Sequence, residues 1–441
     1  MLNHILFKAK SRLRTYGNVE IQDRDNAVNN FEEVLSMEVI YVRCCGIDVH
    51  KKSIVACLMV GRKKETRTFG TMTEDIMSLS EWLSENNCEA IAMESTGVYW
   101  KPVYNVLELL GWDLIVANAR HIKTVPGRKT DVKDAEWIAN LVKHGLINPS
   151  FIQDRDQRET KEMVRYRKSL VEERSREMNR LEKVLEGANI KLSSVISELT
   201  GMSGRNLLHG LINETLNKET IVDMVHHSMR GKTDELLRAC QGMLSETQKV
   251  LVKAMLAHID DMTRRIEDMD NFLDGKLKEY DETLKKLQDI PGVGDRSAQV
   301  IISEIGIDMS RFPSAKHLAS WVGLCPGNNE SAGKKFSGKT GKGNKTLKTT
   351  LIQCAQMASK SKDSFFKAQY DRLVVRRGSK RAKVAVAHSM LIAIYHMLKN
   401  QTSFRDMGVD YYIQFNPEKK INYHLSKLNK LGWAPPIGVT A

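Results

Sequence analysis

The chain has 441 residues, 41% hydrophobic and 27% charged, with a formal net charge of +13. That is enough for two or three domains with sizeable cores, and the Lys and Arg excess favours a polyanionic partner whose counterions they displace. There is no apolar run of about 18 residues, no long apolar stretch near residue 1 and no CxxC among the seven cysteines (Cys44, Cys45, Cys57, Cys88, Cys240, Cys325, Cys354). A membrane span, a secretory signal, a zinc site and a disulfide framework are therefore not expected, and a cytoplasmic location is.

Residues 1–40 are polar and irregular and read as a tail. From Glu38 the pattern turns α/β. Residues 39–47 and 53–60 read as strands, and 67–70 as part of a third. A helix follows at about 74–86, capped by Thr73. Residues 90–93 read as a strand, 100–110 as a helix ended by Gly111, and 113–117 as a strand. Residues 131–144 have helical periodicity ended by Gly145. Strands alternating with helices imply a sheet flanked by helices.

The middle of the chain changes character. Val164, Val171, Met178 and Leu185 recur every seven residues amid dense charge. Val252, Ile259, Ile266 and Leu273 do the same, with Met255, Met262 and Met269 interleaved. This a/d pattern predicts two long helices, paired as an antiparallel hairpin or as an intermolecular coiled coil. Residues 186–245 read as helical fragments with Gly breaks and no assigned place. Beyond Leu284, Ile290-Pro-Gly-Val-Gly294 leads into a helix at about 295–305. Residues 328–345 form a Gly/Lys-rich loop or hairpin, helices follow at about 346–360 and 380–399, and 401–441 read as a tail with one or two short elements.

Four carboxylates stand out by context. Asp48 follows the first strand in Gly46-Ile-Asp-Val-His-Lys-Lys52, and Glu94 ends another in Met93-Glu-Ser-Thr-Gly97. Asp131 and Asp134, spaced i, i+3, share a helix face. Singly, each reads equally as a turn residue, a cap or a dipole complement. Together they would repel unless a cation joined them, and hard oxygen ligands suit Mg2+ or Mn2+. Such a cluster can clamp the attacking and leaving oxygens of a phosphodiester.

GIDVHKK, MESTGVYW and RKTDVKDAEWIA, with the order Asp48, Glu94, Asp131, Asp134, resemble the DEDD set of RuvC-like transposases of the insertion-sequence one-ten family. The resemblance covers about residues 40–400. It implies an α/β RNase H-like (RuvC-like) domain at 41–150, a helical coiled-coil connector at 155–283 and a mostly α C-terminal transposase domain at 284–400.

The C-terminal motifs fit the same family. Ile290–Gly294 looks like a helix-hairpin-helix turn, whose backbone amides can meet a phosphate; a plain helix-entry turn reads equally well. Leu318-Ala-Ser-Trp-Val-Gly-Leu-Cys-Pro-Gly327 precedes Glu330-Ser-Ala-Gly333, where the family places a serine nucleophile in a loop. The matching residue is Ser331, in the Ser-Ala-Gly variant of the one-one-one-one subgroup, with Ser337 as a competitor. Lys334, Lys335, Lys339, Lys342, Lys345 and Lys348 suit phosphate contact or a solvated loop. The basic run Arg372–Lys383 reads as a backbone grip or as a solvated helix flank.

The resemblance further implies a site-specific DNA recombinase acting on double-stranded element ends and target. It implies a noncoding guide (bridge) RNA, and a homo-oligomer, dimer or tetramer, in which the RuvC-like domain of one subunit meets the serine domain of another. The expected setting is the bacterial cytoplasm, associated with the nucleoid. Two other readings are a metal-dependent RuvC-like junction endonuclease, with Ser331 structural, and a non-catalytic nucleic-acid-binding protein.

Overall fold

The computed structural model describes residues 39–95, 97–118, 122, 134–327, 329–331, 334–414 and 417–433, of which 329–331, 334–337, 413–414 and 419–420 by backbone alone. The chain divides into two compact units, residues 1–152 and 153–441. Both stretches read from the sequence as connector and C-terminal domain fall in the second.

In the first unit, β1 (Arg43–Val49), β2 (Ile54–Val60), β3 (Lys63–Phe69), β4 (Ala90–Glu94) and β5 (Leu114–Ala117) form one sheet in the order β3-β2-β1-β4-β5. β2 runs antiparallel to β1 and β3, whereas β1–β4 and β4–β5 are parallel. The antiparallel hairpins need only short turns, and the parallel pairs need crossovers. These come from α1 (Thr73–Glu85) and α2 (Trp100–Leu109), while α3 (Asp134–Lys143) follows β5.

Period-two alternation assigns the two faces. Cys45, Ile47, Ile54, Ala56, Leu58, Ile91 and Met93 pack with Ile76, Leu79, Trp82 and Leu83 of α1 and with Val103 and Leu107 of α2. Cys44, Cys57, Met59, Ala90 and Ala92 pack with Ala135, Ile138, Ala139 and Val142 of α3.

Several boundaries differ from the sequence reading. The first strand starts at Arg43, not at 39, and runs past Asp48, which therefore lies inside it. The third strand spans Lys63–Phe69 rather than starting at 67. Its exposed, charged residues hid it, because an edge strand needs no apolar run. Thr73 is the first helical residue of α1 rather than its cap; the Asp75 carboxylate accepts from the Met72 N–H at 3.1 Å and closes that end. α3 begins at Asp134, and Asp131 lies outside the described residues.

The second unit opens with α4 (Arg155–Gly187), followed by the short helices α5 (Leu192–Val195), α6 (Met202–Ile212), α7 (Lys218–Met224) and α8 (Thr233–Ala239), and then α9 (Glu246–Lys276). Lys276 pairs with Asp156, Arg167 with Asp270, and Arg174 Nη1 donates to Thr263 Oγ1 at 3.2 Å. Partner numbers fall as α4 advances, so the two long helices form an antiparallel hairpin within one chain. On α9 the seam follows Val252, Ile259, Ile266 and Leu273. On α4 it runs through Val164, Leu170, Leu181 and Leu185, while Val171 and Met178 are only half-buried. A straight helix drifts from a strict seven-residue repeat, which moves the buried stripe sideways. The fragments at 186–245 cap this hairpin through a shared core that joins Leu192, Leu207, Leu208, Ile221 and Leu236 to Leu181 and Leu185 of α4 and Val252 and Ile259 of α9.

Next come α10 (Asp281–Gln288), α11 (Asp295–Ile305), α12 (Ala315–Val322), the hairpin β6 (Asn329–Ser331) and β7 (Lys334–Ser337), α13 (Lys345–Ala358), α14 (Phe365–Arg377), α15 (Ser379–Asn400), α16 (Tyr411–Gln414) and α17 (Pro417–Lys430). The sequence reading had no helix at α12 or α14. The basic run Arg372–Lys383 does not merely precede a helix: it straddles the α14–α15 turn at Gly378, whose φ of 74° suits glycine.

Candidate active site

Asp48 belongs to β1 and Glu94 ends β4. These strands are parallel neighbours in the register Ile47↔Met93, so Asp48 and Glu94 occupy the next adjacent positions. By alternation both lie on the face covered by α3, the face of Cys44, Gly46, Ala90 and Ala92. At Gly46 a Cβ would meet the Ala135 O and the Ala139 N at 2.3 Å each. Only glycine lets α3 approach this closely. That contact sets the start of α3, and hence Asp134, beside the end of β1.

The electrostatics register this convergence. Burial pushes the Asp48 carboxyl above its ordinary range, His50 pulls it back, and the charges of Asp134 and Glu94 raise it further. Like charges disfavour the ionised form. His50 Nε2 lies 3.2 Å from Asp48 Oδ2. His50 reaches Asp48 from just beyond the strand's last residue, Val49.

Asp48, Glu94 and Asp134 are thus brought together. Among the described residues, no three His, Cys, Asp or Glu side chains stand close enough as placed to hold one ion. The donor chemistry nevertheless suits a divalent cation: carboxylates that repel one another, Asp48 and Glu94 partly buried and Asp134 exposed, gain from a positive charge between them.

Ser331 lies in the other unit. Its backbone is the last residue of β6, paired with Lys334, so it sits at the turn end of a β-hairpin rather than in an open loop. The stem is closed by Gly327 N donating to Lys339 O at 3.0 Å and by the Pro326↔Thr340 bridge. Below it, Gly343 packs on Val322 and Gly323, where a Cβ would lie 2.4 Å from the Val322 carbonyl carbon. Asn344 caps α13, its Oδ1 accepting from Leu347 N at 3.1 Å, and its Nδ2 donates to the buried Glu304 at 2.6 Å. Arg165 of α4 completes the anchor with two bonds to Glu304 of 2.7 and 2.8 Å.

Lys339, Lys342 and Lys345 are exposed. Lys348 instead turns inward, donating to Thr340 Oγ1 at 2.6 Å, and so braces the stem. The side chains of Lys334, Lys335 and Ser337 lie outside the described set.

Two family models match the chain. A DEDD transposase model of the IS110 group, described as "Transposase", covers residues 45–190, and "Transposase IS116/IS110/IS902 family" covers residues 284–371. Together they span more than half of the sequence. The chain belongs to the IS110 family of transposases. It is an enzyme that cleaves and rejoins DNA.

Individual relatives agree with the assignment. The transposase of insertion element IS1111A from Coxiella burnetii is 23% identical over 71% of this chain and 79% of its own length. A protein of insertion element IS110 from Streptomyces coelicolor is 26% identical over 63% and 73%. The pilin gene-inverting protein of Moraxella bovis is 22% identical over 81% and 96%. Among the described residues of this IS110-family transposase, no helix is long and apolar enough to cross a membrane.

Proposed function

We propose that the protein is a site-specific DNA recombinase with an RNase H-like carboxylate site and a serine nucleophile. The observation that carries this reading is the placement of Asp48, Glu94 and Asp134 on one face of the sheet, two from adjacent strands and one from the helix that crosses them. The mixed order β3-β2-β1-β4-β5 supports an RNase H-like domain. With Asp131, these residues would hold Mg2+ or Mn2+, which when bound supplies positive charge to the reacting phosphodiester oxygens.

In this reading Ser331 Oγ attacks a backbone phosphorus. An Oγ–P bond forms as the P–O bond to the departing strand breaks, which leaves a phosphoserine link. Lys334, Lys335, Lys339, Lys342 and Lys345 hold phosphates without reading bases. Lys348 serves the stem of the hairpin instead. Sequence choice falls to base pairing with a noncoding guide RNA, and the chain acts as a homo-oligomer. The gene-inverting relative supports recombination over simple hydrolysis.

The test is DNA cleavage with magnesium, element-flanking RNA and an end-labelled target, stopped with denaturant. A labelled band shifted by covalently attached protein is expected, lost in both Ser331→Ala and Asp48→Ala. Free cleaved DNA without attached protein, dependent on Asp48 and unaffected by Ser331→Ala, makes the protein a junction endonuclease instead.

A further inference from the structure

The charges of the long helical hairpin are largely paired: Arg167 with Asp270, Arg180 with Glu177, Arg264 and Arg265 with Asp261, and Lys276 with Asp156. The α14–α15 turn is different. Arg376, Arg377, Lys380 and Arg381 are exposed, and none pairs with a carboxylate among the described residues. No Asp or Glu occurs from Arg372 to Arg405. Such a patch carries mutual repulsion that a polyanion would relieve.

Two further features lie beside it, around the C-terminal end of α13. Lys383 Nζ donates to Gln356 Oε1 at 3.1 Å, which sets the first turns of α15 against one side of α13. On another side, Gly292 of the Ile290–Gly294 turn presses on the same helix: a Cβ there would lie 2.3 Å from the Cys354 O and 2.7 Å from the Ala358 N. The two contacts are separated by roughly the width of one helix, about 10–12 Å. Just past α13, Lys360 and Lys362 are exposed and pair with no carboxylate among the described residues, the neighbouring Asp363 included. Gly294, which opens α11, meets nothing within 4 Å at its Cβ position and leaves that helix without a side-chain cap.

We propose that this surface, built from the α14–α15 turn, the end of α13 and the glycine turn before α11, grips the phosphate backbone of duplex DNA. It is distinct from the lysines of the β6–β7 hairpin. Segments some ninety positions apart in sequence are joined here by α13. Duplex DNA is favoured over RNA because the cations cluster on an exposed turn between two helices. That shape enters the wide major groove of B-form DNA but not the deep, narrow groove of an A-form helix. The inference rests only on the protein's acting on DNA, not on the assignment of Ser331.

The test uses the full-length chain and a duplex of unrelated sequence, with binding measured across a range of salt concentrations. Each phosphate contact adds roughly 0.9 to the slope of log K against log salt for B-DNA, and about 0.7 for a single strand. Arg376→Ala/Arg377→Ala is expected to flatten the slope by about 2, and adding Lys380→Ala/Arg381→Ala to flatten it by about 3–4. Arg264→Ala/Arg265→Ala removes the same charge from exposed positions elsewhere and is expected to leave the slope unchanged.

Arg376→Lys/Arg377→Lys should retain binding, which separates lost charge from lost folding. Equal slopes for the two double-alanine variants overturn the proposal. So does a defect seen with RNA duplexes or single strands but not with duplex DNA.

Discussion

Glu304 shows how one side chain can organise a site it does not enter. Its carboxylate is fully buried and accepts from Arg165 twice and from Asn344 once. A buried carboxylate is tolerated only with such partners. Glu304→Ala strands the Asn344 amide and one face of Arg165, and is expected to cost about 1–3 kcal/mol in urea unfolding, on the scale of hydrogen bonds to charged groups. Glu304→Gln keeps the shape but only one acceptor oxygen, and sets an amide NH2 against the donors of Arg165 and Asn344; it is expected to lose about as much as Glu304→Ala, and near-parental stability would show that packing, not hydrogen bonding, sets the cost. Asp274 contributes a pH-dependent term. Hydrogen bonding to Arg296 holds its carboxyl below the ordinary range. A depressed folded-state pKa gives stability that is full above the unfolded value and is lost as pH falls through the folded one. Asp274→Asn should therefore lower stability at neutral pH and converge with the parent in acid, read from unfolding midpoints at a series of pH values.

Among the elements, the contact between β1 and α3 through Gly46 decides where Asp134 stands. Gly46→Ala drives a methyl into the backbone of Ala135 and Ala139. Overpacking of this kind costs about 1–3 kcal/mol, and here it also tilts away the helix that carries the carboxylate. DNA cleavage by Gly46→Ala should fall more than tenfold while the variant remains folded by circular dichroism; cleavage at the parental rate would mean that α3 can shift without disturbing the site. The sequence reveals part of this arrangement. The buried central strands β1, β2 and β4 are legible because apolar residues dominate them, and α9 because its seam is regular. Helix α14 and all but the end of edge strand β3 are not, since their stabilising contacts lie outside their own pattern: β3 is charged along most of its length, and α14 buries only Phe365 and Phe366. The carboxylates are legible as motifs, but their shared face depends on the β1–β4 register, which no local pattern encodes. Gly46 reads in sequence as one more strand residue, and its role emerges only when α3 lies on top of it.

For the molecule as a whole, the carboxylate site sets a conflict between folding and function that a cation resolves. Burial and the neighbouring acids hold Asp48 above its ordinary range, so the metal-free fold carries unfavourable charge there. The His50 contact offsets part of this, screened by solvent because that side chain is 62% exposed. Removing one charge should then leave the metal-free protein as stable as the parent or more so, an unusual sign for a half-buried polar substitution. Magnesium should reverse the ranking. A ligand that binds only the native state at a hundredfold excess over its Kd adds about 2.7 kcal/mol, and Asp48→Asn weakens the site that binds it. Thermal unfolding with EDTA and then with a magnesium series is the measurement. The expected result is an Asp48→Asn midpoint at or above the parent's in EDTA, and a parental midpoint that climbs with magnesium while the variant's stays flat. If Asp48→Asn is less stable in EDTA and both proteins respond equally to magnesium, Asp48 is a structural partner of His50, and the cation binds elsewhere.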